Sequence, residues 1–214
     1  MLTHEDIRLR VPVPKEVYER LKNRPRLLRG AELAQKPLLP NHALPLKVAF
    51  WNDCSNRLLE AGIKAMYNWN AQMRAETGVK LTFLHVPLDG IPDLVMGSKP
   101  FEILFDPKKE FGSMAVGALY ARHTFGRGGA EGELGDCELY WNESLVVGAG
   151  RIFVPPIIDI HDVYTLQSVF AHELGHGLLL GHSPSVPAHL MYRKHGAVMK
   201  PKPIECTWVQ SIWT

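Results

Sequence analysis

The stretch "HELGHGLLLGHSPSVPAHLMY", residues 172–192, places three histidines and one glutamate within eleven residues, and a methionine nine residues further on. Histidine is the commonest metal ligand among the side chains, and a glutamate beside such ligands can move a proton. Two interpretations are open from these residues alone. The stretch is either a zinc site built for hydrolysis or a core helix whose histidines are hydrogen-bonded structural groups.

The first two histidines have the spacing of a shared metal site on a helix. Residues four apart on an α-helix differ by about 40° around the axis and about 6 Å along it, so His172 and His176 project from one face. His182 is the natural third ligand, because a catalytic zinc commonly takes three protein ligands and leaves a fourth position to water. Glu173 directly follows the first ligand, which predicts a position beside the metal, where it can accept a proton from water.

Chance explains this arrangement poorly. The chain has 214 residues with ten histidines and fourteen glutamates, so H-E-x-x-H arises in roughly 3% of shuffled sequences, and a third histidine at this offset lowers that to about 0.1%. The pattern of two histidines is moderate evidence, and the pattern of three is strong. The sequence therefore favours the zinc site over structural histidines.

The same stretch resembles the metzincin metallopeptidases, and among them the matrixin group most closely. Their pattern H-E-x-x-H-x-x-G-x-x-H corresponds to "HELGHGLLLGH", and "SPSVPAHLMY" is similar to the matrixin segment that leads to the Met-turn. The resemblance implies Met191 as the Met-turn residue, a hydrophobic floor under the metal. Over residues 47–214 it also implies an α+β fold, with a twisted mixed sheet, an active-site helix, a Met-turn and a C-terminal helix.

The sequence departs from the family pattern at one position of the motif, where Leu179 stands in place of glycine. Glycine there permits a positive φ, a conformation that costs a residue with a side chain about 1 to 2 kcal/mol. Gly181 is available two residues later. We therefore predict that the helix runs slightly longer and that Gly181 makes the turn, with His182 still the third ligand. Of the family's other features, we carry over no structural zinc, calcium or cysteine switch.

Composition excludes several classes of protein. Hydrophobic residues make up 46% and charged residues 21% of the chain, as in a globular protein, and a net charge of +2 does not favour a nucleic-acid partner. No apolar run approaches the roughly 18 residues of a membrane span. The start "MLTHEDIRLRVPVPKE" has no secretory signal pattern, which predicts a cytoplasmic protein or export without a standard leader. The three cysteines leave one disulfide with one free thiol possible.

The chain is predicted to divide at a change of pattern near Lys47. Residues 1–46 form an N-terminal extension, a removable propeptide or an attachment segment, with a short helix followed by the proline-rich "PLLPNHALP". Residues 47–214 form the metzincin-like domain. Its first helix is predicted from an N-cap at Ser55 to about Glu76. The apolar stripe predicted as its buried face consists of Leu59, Ile63, Met66, Trp69 and Met73.

Further elements are predicted from short apolar runs and their turn residues. A glycine-rich loop, "GRGGAEGELGD", separates the last two strands, and helices are predicted at "VYTLQSVFAHELGHGLLLG" and "IECTWVQSIW". The predicted strands are "LKVAFW", "VKLTFLHV", "DLVMG", "GALYARHTF" and "RIFVPP".

The function expected from these features is that of a zinc-dependent endopeptidase. Zinc on the three histidines polarises a water and the scissile carbonyl, and Glu173 acts as general base. A protein or peptide substrate is expected to pair with the edge strand "GALYARHTF" by strand addition. The alternative is a zinc-containing binding or structural module of a larger assembly, without proteolytic activity. Glu173 favours the enzyme, since a purely structural zinc has no use for a carboxylate beside it.

Overall fold

A computed structural model describes most of the chain after residue 38. The described residues are 39–40, 43–52, 54–90, 92–97, 121–125, 135–141, 146–154, 163–183, 187–192 and 198–213. The helix predicted in the N-terminal extension and most of the glycine-rich loop lie outside these ranges. The strands are β1 (Leu39–Pro40), β2 (Leu46–Phe50), β3 (Phe83–His85), β4 (Leu94–Gly97), β5 (Ala121–Phe125), β6 (Asp136–Trp141) and β7 (Val146–Phe153). The helices are α1 (Asn56–Thr77), α2 (Val163–Gly177) and α3 (Pro203–Trp213), with a 3₁₀ turn at Leu88–Gly90.

The strands form one mixed sheet in the order β3-β2-β4-β7-β6-β5. Four neighbouring strands, β3, β2, β4 and β7, are parallel, whereas β6 and β5 continue the sheet in antiparallel pairing. β1 lies within the predicted extension and pairs in parallel with the start of β7, at Leu39↔Val146. A mixed sheet with three helices is consistent with the predicted α+β class, and β5, which covers the last five residues of "GALYARHTF", is the outermost of the described strands on its side of the sheet.

Capping residues at both ends of helix α1 explain where it begins and ends. Ser55 is extended, and its side chain accepts a hydrogen bond from the Leu58 backbone N–H at 3.3 Å, as an N-cap residue does. At the other end Gly78 adopts φ 75°, a left-handed conformation that glycine takes without strain, and its N–H bonds to the Arg74 carbonyl. The predicted N-cap is confirmed, and the helix ends one residue beyond the predicted limit.

The buried face of α1 is rotated from the predicted stripe. Met66, Trp69 and Met73 are buried as predicted, but Ile63 is 41% exposed. The side of α1 that faces the sheet instead carries small residues, because the α1 backbone lies very close to the sheet there. A Cβ on Gly62 would lie only 2.5 Å from the Phe50 ring. The prediction for Ile63 was wrong, since hydrophobicity alone does not reveal where a helix needs small residues for close packing.

Helix α2 occupies the centre of the core. Every residue from Leu166 to Gly181 is buried, and α1 is its principal packing partner. The indole Nε1 of Trp69 donates a hydrogen bond to the carbonyl of Ala171 at 2.8 Å, which ties α1 to the turn of α2 that carries the first histidine. This burial gives α2 a fixed position and so a fixed direction for its side chains.

Two of the strands in the second half of the chain differ from the prediction. β6 was not predicted, and the last strand begins at Val146, five residues before "RIFVPP". α3 is confirmed. None of the helices in the described part of the chain is long and apolar enough to cross a bilayer.

Candidate metal centre

Three histidines meet where α2 ends and the chain turns back. His172 and His176 are 2% and 0% exposed, and His182 is partly buried. One nitrogen from each ring lies within 4.8 Å of the corresponding nitrogen in the other two rings. The structure thus brings together the three histidines that the sequence predicts as ligands. Glu173, the next residue on α2, is 1% exposed.

The backbone fixes the orientation of two of the rings. His172 Nδ1 lies 2.7 Å from the Leu190 carbonyl oxygen, and His176 Nδ1 lies 2.7 Å from the Leu180 carbonyl oxygen. A carbonyl oxygen can only accept, so each Nδ1 must carry the hydrogen. In the neutral ring this leaves a lone pair on Nε2. Metal-binding histidines commonly have this second hydrogen bond, which sets both tautomer and ring direction.

The spacing of the ring nitrogens suits a tetrahedral metal ion. His176 Nε2 and His182 Nε2 lie 3.2 Å apart. Two nitrogens bound tetrahedrally at about 2.0 to 2.1 Å from zinc are about 3.3 to 3.4 Å apart. His176 Nε2 carries a lone pair. It can therefore accept a hydrogen bond from a protonated His182 Nε2, or the two nitrogens can bind a cation together.

The turn that delivers His182 is made by Leu179 and not by Gly181. α2 ends at Gly177, and Leu179 adopts φ 69°. The Leu180 N–H bonds to the Gly175 carbonyl at 3.0 Å, and the Leu179 N–H to the His176 carbonyl at 2.8 Å. These are the two bonds of a Schellman motif, with leucine at the left-handed position that usually holds glycine.

The prediction of a longer helix that avoids strain at Leu179 was therefore wrong. Leu179 is 1% exposed, and its side chain belongs to the main core cluster. Burying a leucine contributes about 1.5 to 3 kcal/mol, more than the roughly 1 to 2 kcal/mol that the left-handed conformation costs. Trp213 reinforces the turn, because its Nε1 donates to the Leu178 carbonyl at 3.0 Å.

Met191, which the resemblance implies as the Met-turn residue, lies against α2 at Gly175. It is fully buried, and its sulfur occupies the space that a side chain at position 175 would need, so Gly175 is required for the contact. After Met191 the chain lies alongside Ser183, and the Ser183 N–H donates a hydrogen bond of 2.7 Å to the Met191 carbonyl. Ser183 Oγ also lies 2.8 Å from His189 Nδ1.

Glu205, at the start of α3, holds the backbone at Leu190 and Met191, a role that the sequence analysis missed. This fully buried carboxylate accepts backbone N–H bonds from Met191 at 2.7 Å and Leu190 at 3.2 Å. It also accepts one from Lys202 at 2.7 Å, as a glutamate in the third helical position does in a capping box. The sequence signal available was Pro203 followed two residues later by an acidic residue, which predicts a helix start but not its partner.

A scan against protein-family models gives no match, and no curated protein aligns with the chain. The functional argument therefore depends on the geometry of the three histidines and their surroundings.

Proposed function

We propose that this protein is a zinc-dependent endopeptidase of the metzincin type. The observation that carries the proposal is the convergence of His172, His176 and His182 at the end of a buried helix, two of them anchored through Nδ1. Three neutral imidazoles are a donor set suited to zinc, and three protein ligands leave a coordination position open. The contact of Met191 with α2 supports the finer comparison with metzincins.

The three histidines and Glu173 have different roles in the proposed reaction. His172, His176 and His182 would hold the zinc, which supplies Lewis acidity toward the scissile carbonyl and the attacking water. Glu173 takes a proton from the attacking water and returns it to the leaving amine. Since water attacks directly, no covalent intermediate on the protein forms.

The second candidate is a zinc-containing structural or binding module. One observation favours it, since Glu173 is 1% exposed and two of the histidines are almost wholly buried. A buried site suits a structural ion that never meets substrate. The peptidase is preferred because a carboxylate beside the ligands serves proton transfer and contributes nothing to purely structural binding.

The first experiment separates the two candidates. The full chain is incubated with an unfolded protein such as casein, with and without a zinc chelator, and its metal content is measured. Hydrolysis that the chelator abolishes and zinc restores supports the peptidase, whereas stoichiometric zinc without hydrolysis supports the module. His182→Ala should lose zinc, and His85→Ala, an exposed histidine on β3, should retain it.

The second experiment tests the role of Glu173. Glu173→Ala should keep its zinc and its fold but lose a factor of roughly 10² or more in turnover, the scale of a positioned general base. Glu60→Ala, an exposed glutamate on α1, serves as control and should leave turnover unchanged. Full activity in Glu173→Ala, or loss of zinc from it, would contradict the assigned role.

A further inference from the structure

The strand β6 begins directly against the carboxylate of Glu173. Gly135, the residue before β6, is buried. A Cβ placed on Gly135 would lie 2.8 Å from Glu173 Oε1 and 2.9 Å from Glu173 Cγ. Real Cβ atoms do not approach other heavy atoms this closely. The Glu173 side chain therefore occupies the space that any other residue at position 135 would fill.

The same glycine also touches the preceding turn of α2. Its Cβ would lie 2.8 Å from Val169 Cγ1. Val169 and Glu173 are four residues apart and so lie above one another on one face of α2. The backbone at Gly135 thus crosses this face of the helix and bounds the side of the Glu173 carboxylate that faces the sheet.

We propose that Gly135 is a positioning residue for Glu173. Its lack of a side chain allows the start of β6 to lie against the Glu173 carboxylate and to fix the position of that carboxylate on α2. The inference rests on the proposed function, in which Glu173 is the general base. It assigns a positioning role to a residue outside the three-histidine cluster.

The atoms that would yield to a larger residue can be identified. Glu173 Oε1 is the far end of a flexible side chain, whereas Val169 is β-branched and has one strongly preferred rotamer in a helix. In Gly135→Ala the start of β6 should therefore shift away from Val169, and the Glu173 side chain should shift with its carboxylate, while α2 stays in place. Moving Oε1 from 2.8 Å to an ordinary contact of about 3.4 Å or more requires a shift of about 0.6 Å.

The direct test is a pair of crystal structures, of the wild type and of Gly135→Ala. We expect Glu173 Oε1 to move by about 0.6 Å or more while the ring nitrogens of the three histidines keep their positions. A Glu173 carboxylate that stays in place in Gly135→Ala would overturn the inference. This test needs no activity, so it decides the role of Gly135 in seating the carboxylate even if the protein cleaves no peptide.

The kinetic test measures how displacement of the Glu173 carboxylate changes kcat. A misplacement approaching 1 Å costs up to about 10²-fold in rate, so kcat of Gly135→Ala should fall about 10- to 100-fold with KM and zinc content unchanged. In a Glu173→Ala background the same substitution should cause no further loss, because it acts through Glu173 alone. A further loss of similar size in that background would overturn the inference.

Gly62→Ala is the matched control. Its Cβ would meet Phe50 and Met96 in the core, so it also introduces a clash, but not beside Glu173. We expect lower thermal stability and unchanged kcat for the folded protein. If Gly62→Ala lowers kcat as much as Gly135→Ala, core strain rather than the position of Glu173 explains the effect. Absence of chelator-sensitive hydrolysis in the wild type would contradict the peptidase itself, separately from the crystallographic result.

Discussion

Leu179 carries the backbone conformation on which the position of His182 depends. At φ 69° it stands where a glycine would be unstrained, and its side chain is buried in the core. Two opposing effects therefore act at one residue. The left-handed backbone disfavours any side chain, while burial of this particular side chain stabilises the fold.

Comparing two substitutions separates these effects. Leu179→Ala and Leu179→Gly both remove the buried side chain, a loss of about 2 to 5 kcal/mol for leucine to alanine. Only glycine also relieves the left-handed strain, so Leu179→Gly should be more stable than Leu179→Ala by about 1 kcal/mol. At ordinary backbone angles alanine is the more stable of the two. Urea unfolding of both variants measures the difference.

Gly78 provides an internal control for that comparison. It has φ 75°, and a Cβ there would meet nothing within 4 Å, so Gly78→Ala isolates the backbone cost. We expect a destabilisation of about 1 kcal/mol. If Leu179→Ala proves more stable than Leu179→Gly while Gly78→Ala behaves as expected, the left-handed assignment at Leu179 is wrong.

Cys206, the buried thiol of α3, should be chemically inert in the native protein. Burial, with the nearby negative charges of Glu205 and Glu76, raises its pKa from about 9 to about 12. Because the thiolate is the reactive form, a thiol reagent at pH 8 should label Cys206 only after unfolding. Partly exposed Cys54 should be labelled first. Mass spectrometry of the labelled chain, before and after addition of denaturant, identifies the modified residue.

The same shift predicts the direction of a pH effect on stability. The folded-state pKa of Cys206 lies above the ordinary value, so its contribution is fully present below about pH 9. It is lost as pH rises toward 12, because the unfolded chain releases the thiol proton first. Between pH 8 and 10 the free energy of unfolding should fall less steeply for Cys206→Ala than for wild type.

At the scale of elements, Glu205 joins α3 to the backbone at Leu190 and Met191. The carboxylate accepts the N–H groups of Leu190 and Met191, and the Leu190 carbonyl in turn accepts from His172 Nδ1. The first metal ligand is therefore linked to the start of α3 through a single backbone residue. Hydrogen bonds to a charged group contribute about 1.5 to 3 kcal/mol each, so this link is a strong one.

Glu205→Gln should weaken both folding and zinc affinity. The amide has one acceptor oxygen, so it cannot serve all three N–H groups, and its NH₂ group faces a backbone donor. We expect a destabilisation of about 1.5 to 3 kcal/mol in urea unfolding, with weaker zinc binding by titration. Glu60→Gln, which alters an exposed pair with Lys64, should change neither beyond about 0.5 kcal/mol. Unaltered zinc affinity in Glu205→Gln would show that the link does not reach His172.

At the scale of the whole molecule, metal binding should stabilise the fold. The ligands come from a helix and from the turn after it, so an ion on all three prefers the folded chain. At a free zinc concentration of a hundred times Kd the gain is about 2.7 kcal/mol. This corresponds to a rise of about 5 to 10 °C in Tm. Calorimetry with and without zinc measures the rise, which should be absent in His182→Ala.

The zinc effect should disappear in acid. Imidazole must be neutral to bind the metal, so zinc retention and activity should fall together below about pH 6. Metal content and hydrolysis are measured on the same samples across an acid titration. Activity that vanishes while zinc remains fully bound would assign the pH dependence to a group other than the ligands.

Short-range features of this protein were predictable because their causes are local. The four-residue spacing of His172 and His176 places them on one helical face whatever surrounds the helix. Ser55 satisfies an N–H only three residues away, and Pro203 begins a helix with its own fixed φ. Runs of apolar residues also predicted strands of the sheet, although β6 was missed and the mixed pairing was implied only by the family resemblance.

The other features depend on tertiary structure alone, because they arise where residues distant in the sequence pack against one another. The burial of Leu179 determines that a leucine bears a left-handed turn, and the close approach of Phe50 determines that α1 buries Gly62 and exposes Ile63. Gly135, just before β6, meets Glu173 of α2, and Glu205 of α3 meets the backbone at Met191. Sequence periodicity records which face of an element is apolar, but not which backbone will pack against that face or how closely. The chain therefore specifies its candidate ligands locally, and the packing around them determines their orientation.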